Sequence, residues 1–298
     1  MNIKTDSTYL TIIQICLAVA VTFFWAICFP FIELGHRAAT PLQFATLRAL
    51  IASIVLLVPM VSLSPRMFLS LSFWKASSWI GLTYTAMGFS GMFLADGRIA
   101  TGMATVLTNI QPFLAAIIAY FVLSEKLTKH VIKGLIIGFL GVLVIAYPSL
   151  VGENQTQLII GIGYILLGAL GTAFGTVLMK KYSTPFNPLR LAAGQLFLGS
   201  IVLFVITASS GQWNPIDWHP SFILSLLILA IPGTAVAVSI WIYLLKYVAV
   251  TRLNVFTFLT PVFGLAIGLL FFNERISLTD SLGIVMIFVG LYIIIKSD

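Results

Sequence analysis

Two stretches of the sequence, TPLQFATLRALIASIVL at 40–56 and NPLRLAAGQLFLGSIVL at 187–203, share an early Pro-Leu and a closing Ser-Ile-Val-Leu at a constant offset of 147. A second set of matches, at a constant offset of 149, pairs Pro112, Glu125, Lys126, Gly134 and Gly141 with Pro261, Glu274, Arg275, Gly283 and Gly290. Matches that keep one offset across a pair of helices indicate an internal repeat. We therefore divide the chain into a first repeat at 1–150 and a second repeat at 151–298.

Both repeats consist of long apolar segments. Hydrophobic residues make up 60% of the chain and charged residues 8%, whereas an ordinary soluble domain has about 25% charged residues. Ten apolar runs of roughly membrane-spanning length lie at 9–32, 41–61, 74–95, 101–123, 131–149, 157–179, 188–208, 221–245, 252–272 and 279–295. Because these runs are continuous, and because backbone groups in lipid must bond internally, the sequence predicts an all-α integral membrane protein with ten transmembrane helices.

The basic residues predict an orientation for this bundle. Ten helices place both termini on one side, and we take that side as the cytoplasm. Twelve Lys and Arg residues then lie inside, namely Lys4, Arg66, Lys75, Lys126, Lys129, Lys133, Lys180, Lys181, Arg190, Lys246, Arg252 and Lys296. Three lie outside, namely Arg37, Arg98 and Arg275. This bias follows the rule that cytoplasmic loops are rich in Lys and Arg.

Five helices per repeat have a topological consequence. Because five is odd, the second repeat must enter the membrane inverted relative to the first. The Glu125–Lys126 turn is then cytoplasmic and the Glu274–Arg275 turn external. Inverted repeats are typical of transporters, since two copies facing opposite ways can exchange conformations and move the opening of a central cavity across the membrane.

Several other classes of protein are excluded. Cys16 and Cys28 lie about 18 Å apart on one helix, which is too far for a disulfide. His36, His130 and His219 fall in different loops and offer no metal or triad spacing. We therefore expect no metal, no cofactor and no enzyme activity, and we assign the net charge of +7 to cytoplasmic loops rather than to nucleic-acid binding.

The run at 9–32 is longer than the core of a signal peptide and predicts a retained first helix.

The ordered motifs resemble those of the EamA family within the drug/metabolite transporter superfamily, and the resemblance covers essentially the whole chain. Besides the second set of repeat matches given above, it rests on the following residues: Phe24-Trp25-Ala26, Arg48, Ser124, Pro232-Gly233-Thr234-Ala235 and Asn273. The resemblance implies a central cavity walled by helices 1–4 and 6–9, with helices 5 and 10 peripheral. It also implies alternating access. Family members mostly export amino acids, related metabolites or drug-like compounds, and some relatives import nucleosides, vitamins or methyl-donor cofactors.

Arg48 is the one charge well inside a predicted span. It lies about seven residues, or roughly 10 Å, from the helix start. A cation left in lipid at such a depth costs at least about 2.5 kcal/mol, so Arg48 must face protein or water. Its guanidinium either anchors an anionic group of the substrate or clamps backbone carbonyls at helix ends. The repeat places Gln195 at the matching position, so we expect a polar pair beside the cavity.

Other candidate substrate contacts are aromatic or amide side chains. Trp25, Tyr84 and Phe89 can stack on a flat or apolar substrate, or serve only for packing. Asn109 and Gln111 precede Pro112, where a proline opens the helix and polar groups can face a wet cavity. Candidate hinge or gating residues, for which helix packing is the alternative role, are Pro30, Pro112, Pro232, Gly233 and Pro261.

Carboxylates are absent from the centres of the predicted spans. Glu125 and Glu274 close their helices, and we expect them to tie loops at the membrane surface. Because proton-driven carriers commonly keep a carboxylate or histidine inside the membrane, we favour facilitated diffusion or exchange. The alternative is proton coupling through a group at a helix end, for which the candidates are Glu33, His36 and Asp96.

Together these features predict a secondary transporter in a bacterial cytoplasmic (inner) membrane, with both termini cytoplasmic, that exports amino acids or related small metabolites. An alternative is an importer or exchanger of a nucleotide-, vitamin- or cofactor-like anion. A non-transporting membrane scaffold is a third possibility, although Gly and Pro breaks within the spans argue against it. The expected partners are a small-molecule substrate and the lipid bilayer, and monomer and homodimer remain open.

Overall fold

The computed structural model describes residues 11–35, 38–63, 70–95, 98, 104, 107–147, 155–271 and 277–296. Within these ranges the chain forms ten helical rods, so the all-α prediction is confirmed. The uninterrupted helices are α1 (Ile12–Gly35), α2 (Pro41–Leu63), α4 (Gln111–Leu123), α5 (Lys129–Ala146), α6 (Gln155–Ser183), α7 (Pro188–Ser209) and α10 (Leu278–Ile295).

The other three rods change helix type along their length. Rod α3 consists of Leu71–Ile80, a π-helical Gly81–Met87 and Gly88–Ala95. Rod α8 consists of Pro220–Ala230, a π-helical Ile231–Val236 and Ala237–Tyr247. Rod α9 consists of Val250–Asn254, a 3-10 segment Val255–Phe258 and Leu259–Phe271. The two π segments occupy corresponding positions of the two repeats, since 82–87 maps onto 231–236 at the offset of 149.

Eight of the described rods, α1, α2 and α5–α10, are long and apolar enough to cross a membrane. Rod α4 is apolar but is described over only 13 residues. Rod α3 is more polar than the others, because it carries Lys75 and a series of Ser and Thr residues. Side-chain caps start several rods; for example, Thr128 accepts a hydrogen bond from the Val131 N–H at α5, and Asn187 accepts one from the Leu189 N–H at α7.

The contact between α5 and α10 establishes the inversion of the repeats. A Cβ built on Gly134 would lie 2.7 Å from the Gly290 oxygen, and one built on Gly141 would lie 2.7 Å from the Gly283 oxygen. Residue numbers therefore rise along α5 as they fall along α10, and the two helices run antiparallel. Because α5 and α10 are the fifth helices of their repeats, the second repeat is inverted, as the sequence predicts.

The two repeats interlock rather than stand side by side. Rod α1 packs against α8 and α9 of the second repeat, and the corresponding α6 packs against α3 and α4 of the first. Rods α2 and α7, which correspond to each other, pack together at the centre. Rods α5 and α10 pack chiefly on one another. Apart from the α5–α10 contact, the seam between the repeats is therefore formed by the first four helices of each repeat.

The α5–α10 contact gives a stability prediction. A Cβ on Gly290 would lie 2.6 Å from the Gly134 oxygen and 2.7 Å from the Gly138 nitrogen, so Gly290→Ala forces the two helices apart. We expect it to destabilise the fold by about 1–3 kcal/mol, the usual effect of overpacking. Gly163→Ala is the matched control, because nothing lies within 4 Å of its added Cβ and alanine is the better helix former. Thermal unfolding in detergent compares the two, and a Gly290→Ala protein that melts at or above the control would contradict the packing.

Candidate functional site

A cavity of about 210 Å³ lies at the seam and is lined by residues of both repeats. The first repeat contributes wall residues from α1, α2, α3 and the start of α4, and the second contributes residues from α6, α8 and α9. Rods α5 and α10 contribute none of the described lining residues, in keeping with the expected peripheral position. Rod α7, which we expected in the wall, also contributes none of them.

Six of the seven predicted substrate contacts lie together in this wall: Trp25, Arg48, Tyr84, Phe89, Asn109 and Gln111. They come from four different helices or the ends of these helices. The fold therefore brings together side chains that are up to 86 positions apart in the sequence. The seventh, Gln195, does not line the cavity.

The position of Gln195 differs from the expectation that Arg48 and Gln195 form a polar pair beside the cavity. Its side chain is fully buried, and its Oε1 accepts a hydrogen bond of 2.6 Å from the Thr85 hydroxyl in the π segment of α3. The backbones of α7 and α3 lie too close together at this point to leave space for a cavity. A Cβ on Gly81 would lie 2.5 Å from the backbone carbonyl oxygen of Gln195. Gln195 therefore joins two helices, which also explains why α7 is absent from the described wall.

The repeat relation between Gln195 and Arg48 nevertheless holds. Arg48 Nε donates to the Thr234 hydroxyl at 2.7 Å in the π segment of α8, and Thr234 corresponds to Thr85 at the offset of 149. Each residue of the pair thus bonds to the equivalent threonine of the other repeat. Only Arg48 faces the cavity, so the two halves of the seam differ chemically.

Of the two roles that the sequence left open for Arg48, the structure shows the clamp, and the anchoring of a substrate anion remains a prediction. Its Nη2 donates to the Gly233 carbonyl at 3.3 Å and to Cys28 Sγ at 3.6 Å, which ties the π segment of α8 and helix α1 to α2. The guanidinium also lies 4.8 Å from the centre of the Phe89 ring. The residue is 7% exposed, and Arg48 lines the cavity.

The charge of Arg48 is balanced by no carboxylate among the residues that the structure describes. An arginine carries five N–H donors, and within the same residues Nη1 donates to no protein group. A buried cation of this kind is costly unless an anion joins it. The site can therefore bind a carboxylate or another small anion that enters the cavity.

An aromatic pair forms another part of the wall. The rings of Trp25 on α1 and Trp241 on α8 lie 4.9 Å apart at 57°, and both line the cavity with Tyr84 and Phe89. Trp241 was missed from the sequence, because no match in the other repeat distinguishes it from the many other aromatic residues. These rings offer an apolar surface to the body of a substrate.

Polar side chains of α4 and α9 meet in the cavity wall. Gln111 Nε2 donates to Asn254 Oδ1 at 3.5 Å, and Thr257 and Thr260 of α9 line the wall beside them. Of these three α9 residues, sequence reasoning missed Asn254 and Thr257, whereas Thr260 was expected as a polar group beside the helix break at Pro261. Thr257 and Thr260 stand 149 positions after Thr108 and Gln111, which also line the cavity, so the repeat offset contained the signal for these two.

The candidate hinge residues fall at different kinds of position. Pro232 and Gly233 lie in the π segment of α8, where the helical hydrogen-bond pattern is altered. Pro112 lies in the first turn of α4, where a proline interrupts no helical hydrogen bond. Pro30 lies within α1, and Pro261 follows the 3-10 segment of α9. Their part in gating remains a prediction.

One end of the seam is closed by Glu125. Its Oε1 accepts a hydrogen bond from the Val250 N–H at 2.8 Å, and its Oε2 accepts bonds from the Thr251 N–H at 3.1 Å and the Thr251 hydroxyl at 3.2 Å. The carboxylate thus caps the start of α9 in the other repeat, and the favourable helix dipole adds to the bonds. Ser124, in the left-handed conformation at φ 56°, ends α4 and turns the chain toward this contact.

The cavity extends toward the other end of the seam. Its wall includes Ile32, near the end of α1, and Ala95, the last residue of α3. Since consecutive helices alternate in direction, these helix ends lie at the face opposite the Glu125 contact. Glu125 thus ties the end of α4 to the start of α9. Its position at the membrane surface remains a prediction, and Glu274 lies outside the described residues.

Proton-coupling groups are not located by the structure. His36, Asp96 and the side chain of Glu33 lie outside the described residues. Among the described lining residues there is no Asp, Glu or His, and no cluster of metal-binding side chains occurs in the part of the chain that was described.

Comparisons with known proteins agree with this architecture. The model of the EamA-like transporter family matches residues 12–147 and again residues 159–296. An uncharacterized transporter of Archaeoglobus fulgidus is 28% identical over 290 residues, which cover 95% of this chain and 98% of that protein. A probable amino-acid metabolite efflux pump of Escherichia coli is 28% identical over 286 residues, which cover 93% of each chain. A solved crystal structure shares the fold with a TM-score of 0.77 at 15% identity, over 94% of this chain and 95% of the other.

Proposed function

The chain belongs to the EamA-like transporter family, and we propose that it exports amino acids or closely related small metabolites from a bacterial cytoplasm through the cavity between its repeats. The protein is a multi-pass membrane transporter, and the cargo and direction are the parts that this proposal adds. The similar Escherichia coli protein, a probable amino-acid metabolite efflux pump, supports both.

Arg48 carries the proposal. It is a buried guanidinium in the cavity wall that no described carboxylate neutralises, and its Nη1 is left to bind a carboxylate of the cargo. An amino acid supplies that carboxylate. The Trp25–Trp241 pair supplies an apolar and electron-rich surface for the remainder of the molecule, on which an ammonium group also binds favourably.

The size of the cavity supports a small cargo. Its volume of about 210 Å³ is below the roughly 300–1,000 Å³ of pockets for drug-sized ligands. An amino acid matches this volume better than a nucleotide or a cofactor. A small flat anion is the second candidate, because five aromatic residues share the wall with Arg48.

The inverted repeats supply the mechanism. In this structure the Glu125 carboxylate holds α4 and α9 together at one face, and the cavity reaches the helix ends at the other. In the opposite state, the repeats exchange conformations, the Glu125 contact opens and the cavity reaches the first face. Cargo bound at Arg48 remains near the pseudo-symmetry axis while the surrounding helices rearrange.

Three further parts of the proposal concern the setting of the protein. We assign it to a bacterial inner membrane with both termini cytoplasmic, and the distribution of Lys and Arg supports this orientation. We assign its flux to the cargo gradient or to exchange, since the described wall contains no carboxylate or histidine. The pseudo-symmetric seam lies within one chain, so a monomer contains the whole proposed pathway.

Counterflow in proteoliposomes tests the proposal. Vesicles holding the purified protein and an unlabelled amino acid are placed in buffer with a trace of the same amino acid in radiolabelled form, without a pH gradient. We expect transient accumulation of label for at least one member of a panel of the twenty amino acids, and none for nucleosides or nucleotides. Vesicles without protein are the control. Accumulation of nucleotides but of no amino acid would overturn the assignment of amino acids as the cargo.

A further inference from the structure

Asn254 is a buried amide in the cavity wall with an unused donor. It ends the first turn of α9, directly before the 3-10 segment, and it lines the cavity although it is fully buried. Its Nδ2 has no hydrogen-bond partner among the described residues. Buried polar groups in proteins are nearly always bonded, so an orphan of this kind needs an explanation.

The partner of Asn254 is held only weakly. Gln111 Nε2 donates to Asn254 Oδ1 at 3.5 Å, which is beyond the usual 2.7–3.2 Å of an N–H···O bond. The two amides come from different repeats and both line the cavity. A small rotation of the two side chains would exchange this long contact for bonds to a molecule between them.

Hydrogen-bond donors thus occur at two places in the wall. Arg48 offers guanidinium N–H groups, and the amide pair offers Asn254 Nδ2 and Gln111 Nε2. No described lining residue is a carboxylate that could receive a donor from the cargo at the amide pair. A molecule with one acceptor for Arg48 and another for the unpartnered Asn254 Nδ2 is therefore complementary to the wall.

We infer that Asn254, with Gln111, selects cargo whose side chain carries a carbonyl oxygen, and that glutamine-type amino acids are preferred over aliphatic ones. The inference rests on the proposed function, because it assumes that the α-carboxylate of an amino acid occupies Arg48. The carbonyl oxygen of the cargo accepts a hydrogen bond from Asn254 Nδ2 and one from Gln111 Nε2. Binding then joins α4 of one repeat to α9 of the other, the same two helices that Glu125 joins at the face.

Glutamine and methionine are suitable probes, because they have similar length and volume and differ in the side-chain carbonyl. A site built to bond a polar group discriminates strongly against an analogue without it. In proteoliposomes with the full-length chain we expect kcat/KM for glutamine to exceed that for methionine by at least about 10-fold. In Asn254→Leu, which has the same branched shape and number of side-chain heavy atoms but no donor, the ratio is expected to fall to about 1.

Two further variants keep the test decisive. Asn254→Ala removes the donor without adding bulk. It therefore measures the glutamine-to-methionine ratio of kcat/KM even if Asn254→Leu does not fold. Gln195→Leu removes an amide with an equally unpartnered Nε2 that lies outside the cavity, and it should keep the glutamine-to-methionine ratio of the unmodified protein.

The outcomes separate this inference from the function beneath it. An unmodified protein that transports both amino acids equally, or Asn254 variants that keep the preference, would overturn the selection by Asn254 while leaving amino-acid transport intact. An unmodified protein that transports neither probe nor any other amino acid would overturn the proposed function, and the inference with it.

Discussion

Transport by an Arg48→Ala variant is expected to fall at least about 100-fold in kcat/KM relative to the unmodified protein. A hydrogen bond to a charged group contributes roughly 1.5–3 kcal/mol, and each 1.4 kcal/mol is about tenfold in affinity. Loss of two such bonds to one cargo carboxylate accounts for a decrease of this size. Initial rates of counterflow with radiolabelled amino acid measure it.

Arg48 also clamps α8, so Arg48→Ala needs control variants. These distinguish a loss of cargo binding from a loss of the contact between Arg48 and α8. Thr234→Val removes the hydroxyl that accepts from Arg48 Nε while the cation stays in the wall. We expect it to lower the melting temperature and to keep transport within a few-fold of normal. Arg98→Ala is the matched arginine control, because Arg98 donates to Gln157 and does not line the cavity. Equal loss of transport in Arg48→Ala and Thr234→Val would show that the clamp alone matters.

Removing the Glu125 carboxylate is expected to open the closed face of the seam. Glu125→Ala deletes three hydrogen bonds to the start of α9, each worth roughly 1.5–3 kcal/mol for an ionised acceptor. Loss of even one of them shifts a two-state equilibrium by at least about 10-fold. The reporter for this shift is Thr257→Cys in the wall, in a protein whose native thiols are replaced by Cys16→Ser and Cys28→Ser.

With a membrane-impermeant thiol reagent added at the Glu125 face, we expect the labelling rate of the reporter to rise at least about 10-fold in Glu125→Ala. From the other face the rate should fall, since the two open states exclude each other. Lys126→Ala is the control, because Lys126 is the exposed neighbour of Glu125 and caps no helix. An increase from both faces at once would indicate a loosened protein rather than a shifted gate.

Much of the fold follows from local properties of the sequence. Ten apolar runs and a constant repeat offset predict the number of helices and the inversion, because lipid forces the backbone into helices and five helices per repeat is odd. Arg48 was found for the same reason: a charge inside a span must have a polar partner. These arguments require no knowledge of which helices touch.

The parts that sequence reasoning missed depend on tertiary contacts. The π segment of α3 contains no proline, and Gly81 and Thr85 acquire their role only because α7 packs against them. Asn254 could not be distinguished from a capping or packing residue, because its first-repeat counterpart is a threonine, Thr105. The repeat offset correctly matched Gln195 to Arg48. It could not predict that the Gln195 side chain is buried, because burial depends on how closely two helices approach.

The reporter cysteine at Thr257, with Glu125 intact, gives the most direct test of the account, because alternating access requires one wall position to meet both sides of the membrane. The impermeant reagent is applied separately to sealed vesicles of each orientation. We predict modification from both faces, fast from the face that the cavity reaches in this structure and slower from the Glu125 face. Modification from one face only, under every cargo condition, would show a static pocket and contradict a carrier that works by exchange between its two repeats.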